Sequence, residues 1–83
     1  MKYRVRVEVS LKLGLSDPEG ETTAGSLRDL GYKVSKVSVS KVYYVHVEAG
    51  SAEEAKKQTE EMCRKLLANP VKDNYSIQVE GTE

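Results

Sequence analysis

Few side chains in this sequence could act as nucleophile, base or metal ligand: one cysteine, Cys63, one histidine, His46, and the carboxylate pairs Glu53-Glu54 and Glu60-Glu61. A thiol nucleophile needs a neighbouring base and a third group to orient it. Cys63 instead recurs with Met62, Leu66 and Leu67 at helical spacing and reads as a small core residue. His46 lies in a β-rich stretch, where a surface or hydrogen-bonded imidazole is the simplest reading. A metal centre needs three or four clustered ligands, which one Cys and one His do not supply. The glutamates share a helix face with Lys57, Arg64 and Lys65, and Glu60–Arg64 and Glu61–Lys65 have the favourable i,i+4 orientation. That is a solvated charged surface, and nothing there would raise a carboxylate pKa for acid–base work. Gly14 and Gly20 stand apart, with Asp17 and Pro18 between them, so no phosphate-cradling loop is formed. The sequence therefore predicts no catalytic group, no cofactor site and no metal site on this chain.

Composition narrows the partners. Thirteen basic and thirteen acidic residues leave a formal charge of +0, so no net field draws the chain to nucleic acid or to an anionic membrane. Tyr43 and Tyr44 are adjacent in a strand, which leaves one ring on each face and argues against an RNA-stacking platform. A single free thiol fits a reducing compartment, and residues 1–20 hold neither a continuous apolar signal core nor a membrane-length run. A cytoplasmic location is the expectation. With 39% hydrophobic residues the chain should fold, as a single domain over residues 1–83. A domain this small hides only roughly 60–65% of its unfolded surface, so association with other chains is expected.

The elements that must position these residues follow from periodicity. Tyr3, Val5, Val7, Val9, Leu11 and Leu13 alternate with Arg4, Arg6, Glu8, Ser10 and Lys12, the pattern of a half-buried strand. At about 3.3 Å per residue this strand would measure roughly 36 Å and overhang its own domain. Asp17 as N-cap, Pro18 at the first helical position and Glu19 near the positive end of the dipole open a helix that Gly31 closes. From Val34 to Ala49 the β-branched and aromatic density predicts two strands with a turn near Ser40-Lys41. In the second of these, Tyr43, Val45 and Val47 form one face and Val42, Tyr44 and His46 the other, which reads as a strand covered on both sides. Ser51 and Glu54 make a capping box, and Ala52, Ala55, Thr59, Met62, Cys63, Leu66 and Leu67 continue at helical spacing until Asn69-Pro70. Tyr75, Ile77 and Val79 alternate as a last strand, and residues 81–83 read as a frayed tail. The order predicts an α+β fold, ferredoxin-like β-α-β-β-α-β, an antiparallel sheet with two helices on one face.

Three stretches carry a family resemblance: Leu11 to Gly20 (LKLGLSDPEG), Leu27 to Tyr32 (LRDLGY) and Glu60 to Val71 (EEMCRKLLANPV). Together they resemble the PurS family, the small subunit of the three-chain phosphoribosylformylglycinamidine synthase of purine biosynthesis. The resemblance implies a non-catalytic subunit that forms dimers or tetramers. It would bridge a glutaminase subunit, which releases ammonia, and a synthetase subunit, which installs that ammonia on formylglycinamide ribonucleotide, and would assist ammonia transfer between them. ATP and Mg would belong to the synthetase partner. On the same ground Asp17, Pro18, Gly20, Leu67, Asn69, Pro70 and Val71 are expected to face the partner subunits. Tyr44 and His46, on the sheet face away from the helices, are expected to pack in a homo-oligomer. A different class, a small-molecule-sensing ferredoxin-like regulatory domain, is the alternative.

Overall fold

The computed structural model describes residues 1–83. In chain order the elements are β1 (Lys2–Leu11), α1 (Pro18–Asp29), β2 (Ser40–Glu48), α2 (Ala52–Met62) continued by a π turn (Cys63–Leu67), and β3 (Asp73–Thr82). The expected α+β chain with an antiparallel sheet and two helices is what forms. The sheet has three strands in the order β2-β1-β3, both pairings antiparallel.

The alternation in β1 decides the core. Tyr3, Val5, Val7 and Val9 are buried on one face, with Val5 opposite Val45 and Val79, and Val7 opposite Tyr43 and Ile77. α2 lies across that face and contributes Ala55, Thr59 and Cys63, spaced by four and inaccessible to solvent. Thr59 escapes the cost of a buried hydroxyl by donating to the Ala55 carbonyl at 2.8 Å. At the start of α2, Ser51 Oγ accepts from the Glu54 N–H at 3.1 Å, while the Glu54 carboxylate reaches back to the Gly50 N–H at 2.9 Å. The capping box is therefore present, with its returning arm one residue early.

Four sequence expectations are corrected. β1 does not overhang: it is the central strand and is paired from Lys2 to Ser10 with β2 and from Tyr3 to Leu11 with β3. Residues 34–39 form no strand and there is no hairpin turn at Ser40-Lys41, because Ser40 opens β2 directly. In the ferredoxin-like order this position is held by a segment whose backbone finds no neighbouring strand in its own chain. β2 is an edge strand covered on one face only, since Val42 and Tyr44 on its other face are 40% and 48% exposed. The tail is not frayed: β3 runs to Thr82, and the Glu83 N–H donates to the Lys2 carbonyl at 2.7 Å. A fifth expectation, Leu66 on the core face of α2, fails because the Ala68 N–H bonds the Cys63 carbonyl, which is five residues back. That wider turn shifts the inward position by one residue, leaving Leu67 packed against the core and Leu66 83% exposed.

α1 behaves differently from α2, with hardly any contact to the sheet. It projects beyond it, and the chain measures 51 × 27 × 14 Å with a radius of gyration of 16.2 Å, where a compact chain of this length would have about 12 Å. A compact monomer of this mass exposes about 4,900 Å²; this chain exposes 6033 Å². α1 and residues 33–39 together make a flap.

Candidate partner-binding site

The expected partner-facing residues lie on two loops at one end of the sheet. The Lys12 N–H donates to the Lys72 carbonyl at 2.8 Å, and Lys12 Nζ donates to the Pro70 carbonyl at 2.8 Å, which ties the exit of β1 to the turn before β3. Asp17, Pro18 and Glu19 line a cleft of about 250 Å³ together with Lys72 and Asp73. The structure thus brings both expected stretches to the same rim.

Within that rim the residues divide by task. Asp17 is half-buried, and both carboxylate oxygens are used inside the chain: Oδ1 accepts from the Gly20 N–H and Oδ2 from the Val39 N–H, each at 2.9 Å. Those bonds, the Gly20 one first, hold the Asp17 carboxyl below the usual carboxylate range. Gly20 is buried beneath the returning segment, and a Cβ there would collide with the Val37 carbonyl oxygen. Leu67 packs against the core. Asn69 builds the turn: its Oδ1 accepts from the Val71 N–H at 2.9 Å, and the Asp73 carboxylate accepts from the Asn69 N–H at 2.9 Å. Pro18, Pro70 and Val71 are the ones that face solvent, Val71 being 82% exposed. Leu13, one residue beyond the tethered Lys12, is 96% exposed at the same rim. Its place in the alternation of β1 had marked it as inward, but the strand ends at Leu11.

Tyr44 and His46 do lie on the sheet face away from α2. Arg4 stacks over the Tyr44 ring at 4.3 Å, Arg4 pairs with Glu80 at 3.3 Å, and His46 Nδ1 contacts the Glu83 carboxylate. Tyr44 and Glu8 both favour the charged form of Arg6. The face is polar, charged in both signs and open.

The chemistry available elsewhere is limited. Burial pushes the Cys63 thiol up from its ordinary pKa, with Glu60 adding to the effect, and the side chain is inaccessible. No three Cys, His, Asp or Glu side chains are close enough to hold a metal ion. The largest concavity, about 570 Å³, runs between α1 and residues 35–37. Its charged lining is Asp17, Glu21, Arg28 and Lys36; Asp17 is engaged as above and Arg28 donates to the carbonyls of Val34 at 2.7 Å and Ser35 at 3.0 Å. Sequence reasoning missed Arg28, since its targets are carbonyls whose position depends on where the chain returns.

Residues 4–81 match the family model of PurS, phosphoribosylformylglycinamidine (FGAM) synthase. The chain belongs to the PurS family. It is 56% identical over 72 residues to the phosphoribosylformylglycinamidine synthase subunit PurS of Archaeoglobus fulgidus, covering 86% of this chain and 90% of that one. Among solved structures it resembles PurS of Methanocaldococcus jannaschii, one of the subunits of formylglycinamide ribonucleotide amidotransferase in the purine biosynthetic pathway. That match has a TM-score of 0.87 and 40% identity, over 98% of this chain and 99% of that chain. A chain in the structure of PurLQS from Thermotoga maritima matches with a TM-score of 0.87 and 30% identity, over 95% and 98%. No helix of this PurS chain is long and apolar enough to cross a membrane.

Proposed function

We propose that this chain is the non-catalytic bridging subunit of FGAM synthase, a cytoplasmic protein that joins a glutaminase subunit to an ATP- and Mg-dependent synthetase subunit and assists ammonia transfer between them. As a member of the PurS family it is a subunit of that synthase, and its relative in Thermotoga maritima occurs in a PurLQS structure. The observation that carries the bridging reading is the amount of surface the chain leaves open. Its exposed area exceeds that of a compact monomer by about 1,100 Å², and Leu13, Val71, Leu66, Leu30 and Tyr32 are all more than 60% exposed. Pro18, Pro70 and Val71 at the rim are the contacts to a partner subunit, while Asp17, Gly20, Leu67 and Asn69 shape the loops that carry them. The chain also associates with itself as a dimer or tetramer.

The sensor alternative would use the concavity beside α1. Two of the four charged residues that line it, Asp17 and Arg28, are engaged with the chain's own backbone, which leaves Glu21 and Lys36 to hold a ligand; the exposed apolar surface favours the bridging reading. The deciding experiment reconstitutes the three subunits. Glutamine-dependent turnover is expected to require this chain, and turnover with free ammonia is expected to proceed without it. Equal glutamine-dependent rates with and without the chain would remove the bridging role.

A further inference from the structure

Two short turns meet where β1 ends. The Leu15 N–H closes the first on the Lys12 carbonyl at 3.4 Å, with Gly14 at φ 84 in the place where a type II turn needs a positive φ, so Leu13 stands at its corner. The Lys72 N–H closes the second on the Asn69 carbonyl at 3.2 Å, so Pro70 and Val71 form its corner. Lys12 joins the two turns: its N–H donates to the Lys72 carbonyl and its Nζ to the Pro70 carbonyl, each at 2.8 Å. Pro70 and Lys72 are the two neighbours of Val71, and Lys12 is the neighbour of Leu13. One lysine therefore fixes the backbone on both sides of Val71 and immediately before Leu13.

The side chains that this arrangement presents are apolar and bare, Leu13 being 96% and Val71 82% exposed. An apolar side chain held out on a fixed backbone has little freedom left to lose when it is covered, so its burial goes largely into affinity. The clefts beside these turns have a dominant charge. Lys36 lines the one next to Leu13, and Lys41 and Lys72, with Glu19, line the one next to Pro18. The three lysines and Glu19 are exposed, whereas Asp17 and Asp73 are half-buried and accept backbone N–H groups of their own chain.

We propose that Lys12 is a positioning residue for docking: it sets Leu13 and Val71 as paired anchors for an apolar socket with an acidic border on a partner subunit of the synthase. The inference rests on the bridging reading above and states what that contact is made of. Charge decides the occupant. A second copy of this chain meeting the rim two-fold would set the lysines against themselves, whereas carboxylates around a socket on a different subunit would pair with them.

Calorimetric binding of the full chain to each purified partner subunit, with hydrogen exchange of the wild-type complex, tests this. The wild type is expected to bind, more weakly as salt rises, and the Leu13, Gly14 and Val71 amides to gain about tenfold protection or more. Leu13→Ser and Val71→Ser should each weaken binding to the same subunit by about tenfold or more. Lys12→Met keeps the stem but loses the bond to Pro70, and should weaken it by about threefold or more, while Lys12→Arg keeps a donor and binds like wild type. In the doubly substituted Leu13→Ser, Val71→Ser background Lys12→Met should have no further effect; a loss that persists there would mean that Lys12 touches the partner directly, and would overturn the positioning role. If neither subunit binds the wild type, the bridging reading falls and this proposal with it. If one binds while those three amides stay unprotected, or while both serine variants bind at wild-type strength, the anchor alone is overturned. Serine variants that lower the mass of the chain by itself and leave subunit binding intact would give the rim to a second copy and overturn it too. The exchange measurement on the wild-type complex decides the matter even if a variant misfolds.

Discussion

The sheet with α2 and the flap with α1 are built from similar residues but are held by different forces. In the sheet, β1 is paired on both sides, and Val5, Val7, Ala55, Thr59 and Cys63 are inaccessible to solvent. In the flap only Gly20 and Ala24 are buried, and three side-chain-to-backbone attachments, from Asp17 and Arg28, hold it together. Hydrophobic burial stabilises the first region within one chain. The second has a fixed shape but little burial of its own, as expected for the part of an assembly subunit that a partner would cover.

The largest expected effect is in the sheet. Val5→Ala should cost about 2–3 kcal/mol, lowering Tm by roughly 10–20 °C for a domain of this size; Tyr32→Ser in the flap should change the Tm of diluted protein by no more than about 2–4 °C. Equal losses from both variants would mean that the flap belongs to the same core. Next in size is the open sheet face. Tyr44 is expected to pack in a homo-oligomer, so Tyr44→Glu is expected to lower the mass seen in light scattering. An unchanged mass would remove this face from the self-association surface.

Gly20→Ala should loosen the flap selectively. Amide exchange at Val39 and across α1 should accelerate by about tenfold while the β1 amides keep their rates, and uniform acceleration would contradict the separation of the two regions. Cys63 offers the complementary reading of the core: its thiol, raised in pKa by burial, should resist alkylation at neutral pH and react at the rate of global opening. Fast labelling in native buffer would place the π turn outside the core.

The smallest effect is electrostatic. The folded Asp17 carboxyl titrates below its ordinary value of 3.8, so its contribution to holding the flap is complete above about pH 4. It is lost as pH falls through the depressed folded value, when the unfolded chain takes up the proton first. NMR shifts of the Gly20 and Val39 amides should follow one titration below the usual carboxylate range. A midpoint at or above that range would mean the clamp is not formed in solution.

Much of the core half was legible. Period-two alternation fixed the buried face of β1, and Ser51 with Glu54 fixed the start of α2, because these signals depend on neighbours close in sequence. Asp17 and Gly31 were legible as helix ends for the same reason; the Tyr32 N–H to Leu27 carbonyl and Gly31 N–H to Arg28 carbonyl bonds, with Gly31 at φ 97, complete a Schellman motif. The second bond of Asp17 and the grip of Arg28 were not legible, since each depends on where the chain returns after Gly31. Nor was the reach of α1 from the sheet: a helix with few apolar residues is recognisable, but the surface it leans on is not.

By itself the sequence determined the strand and helix periods, the lack of a local catalytic motif and the family, since each rests on residue types at short, fixed spacings. Only the tertiary structure decided that Val34–Val39, rich enough in valine to read as a strand, has no partner strand in its own chain, and that the motif Asp17-Pro18-Glu19-Gly20 holds that segment in place. The physical reason is that strand pairing and burial are long-range quantities: the same β-branched run is a paired strand or an open edge according to what another part of the chain, or another chain, places beside it.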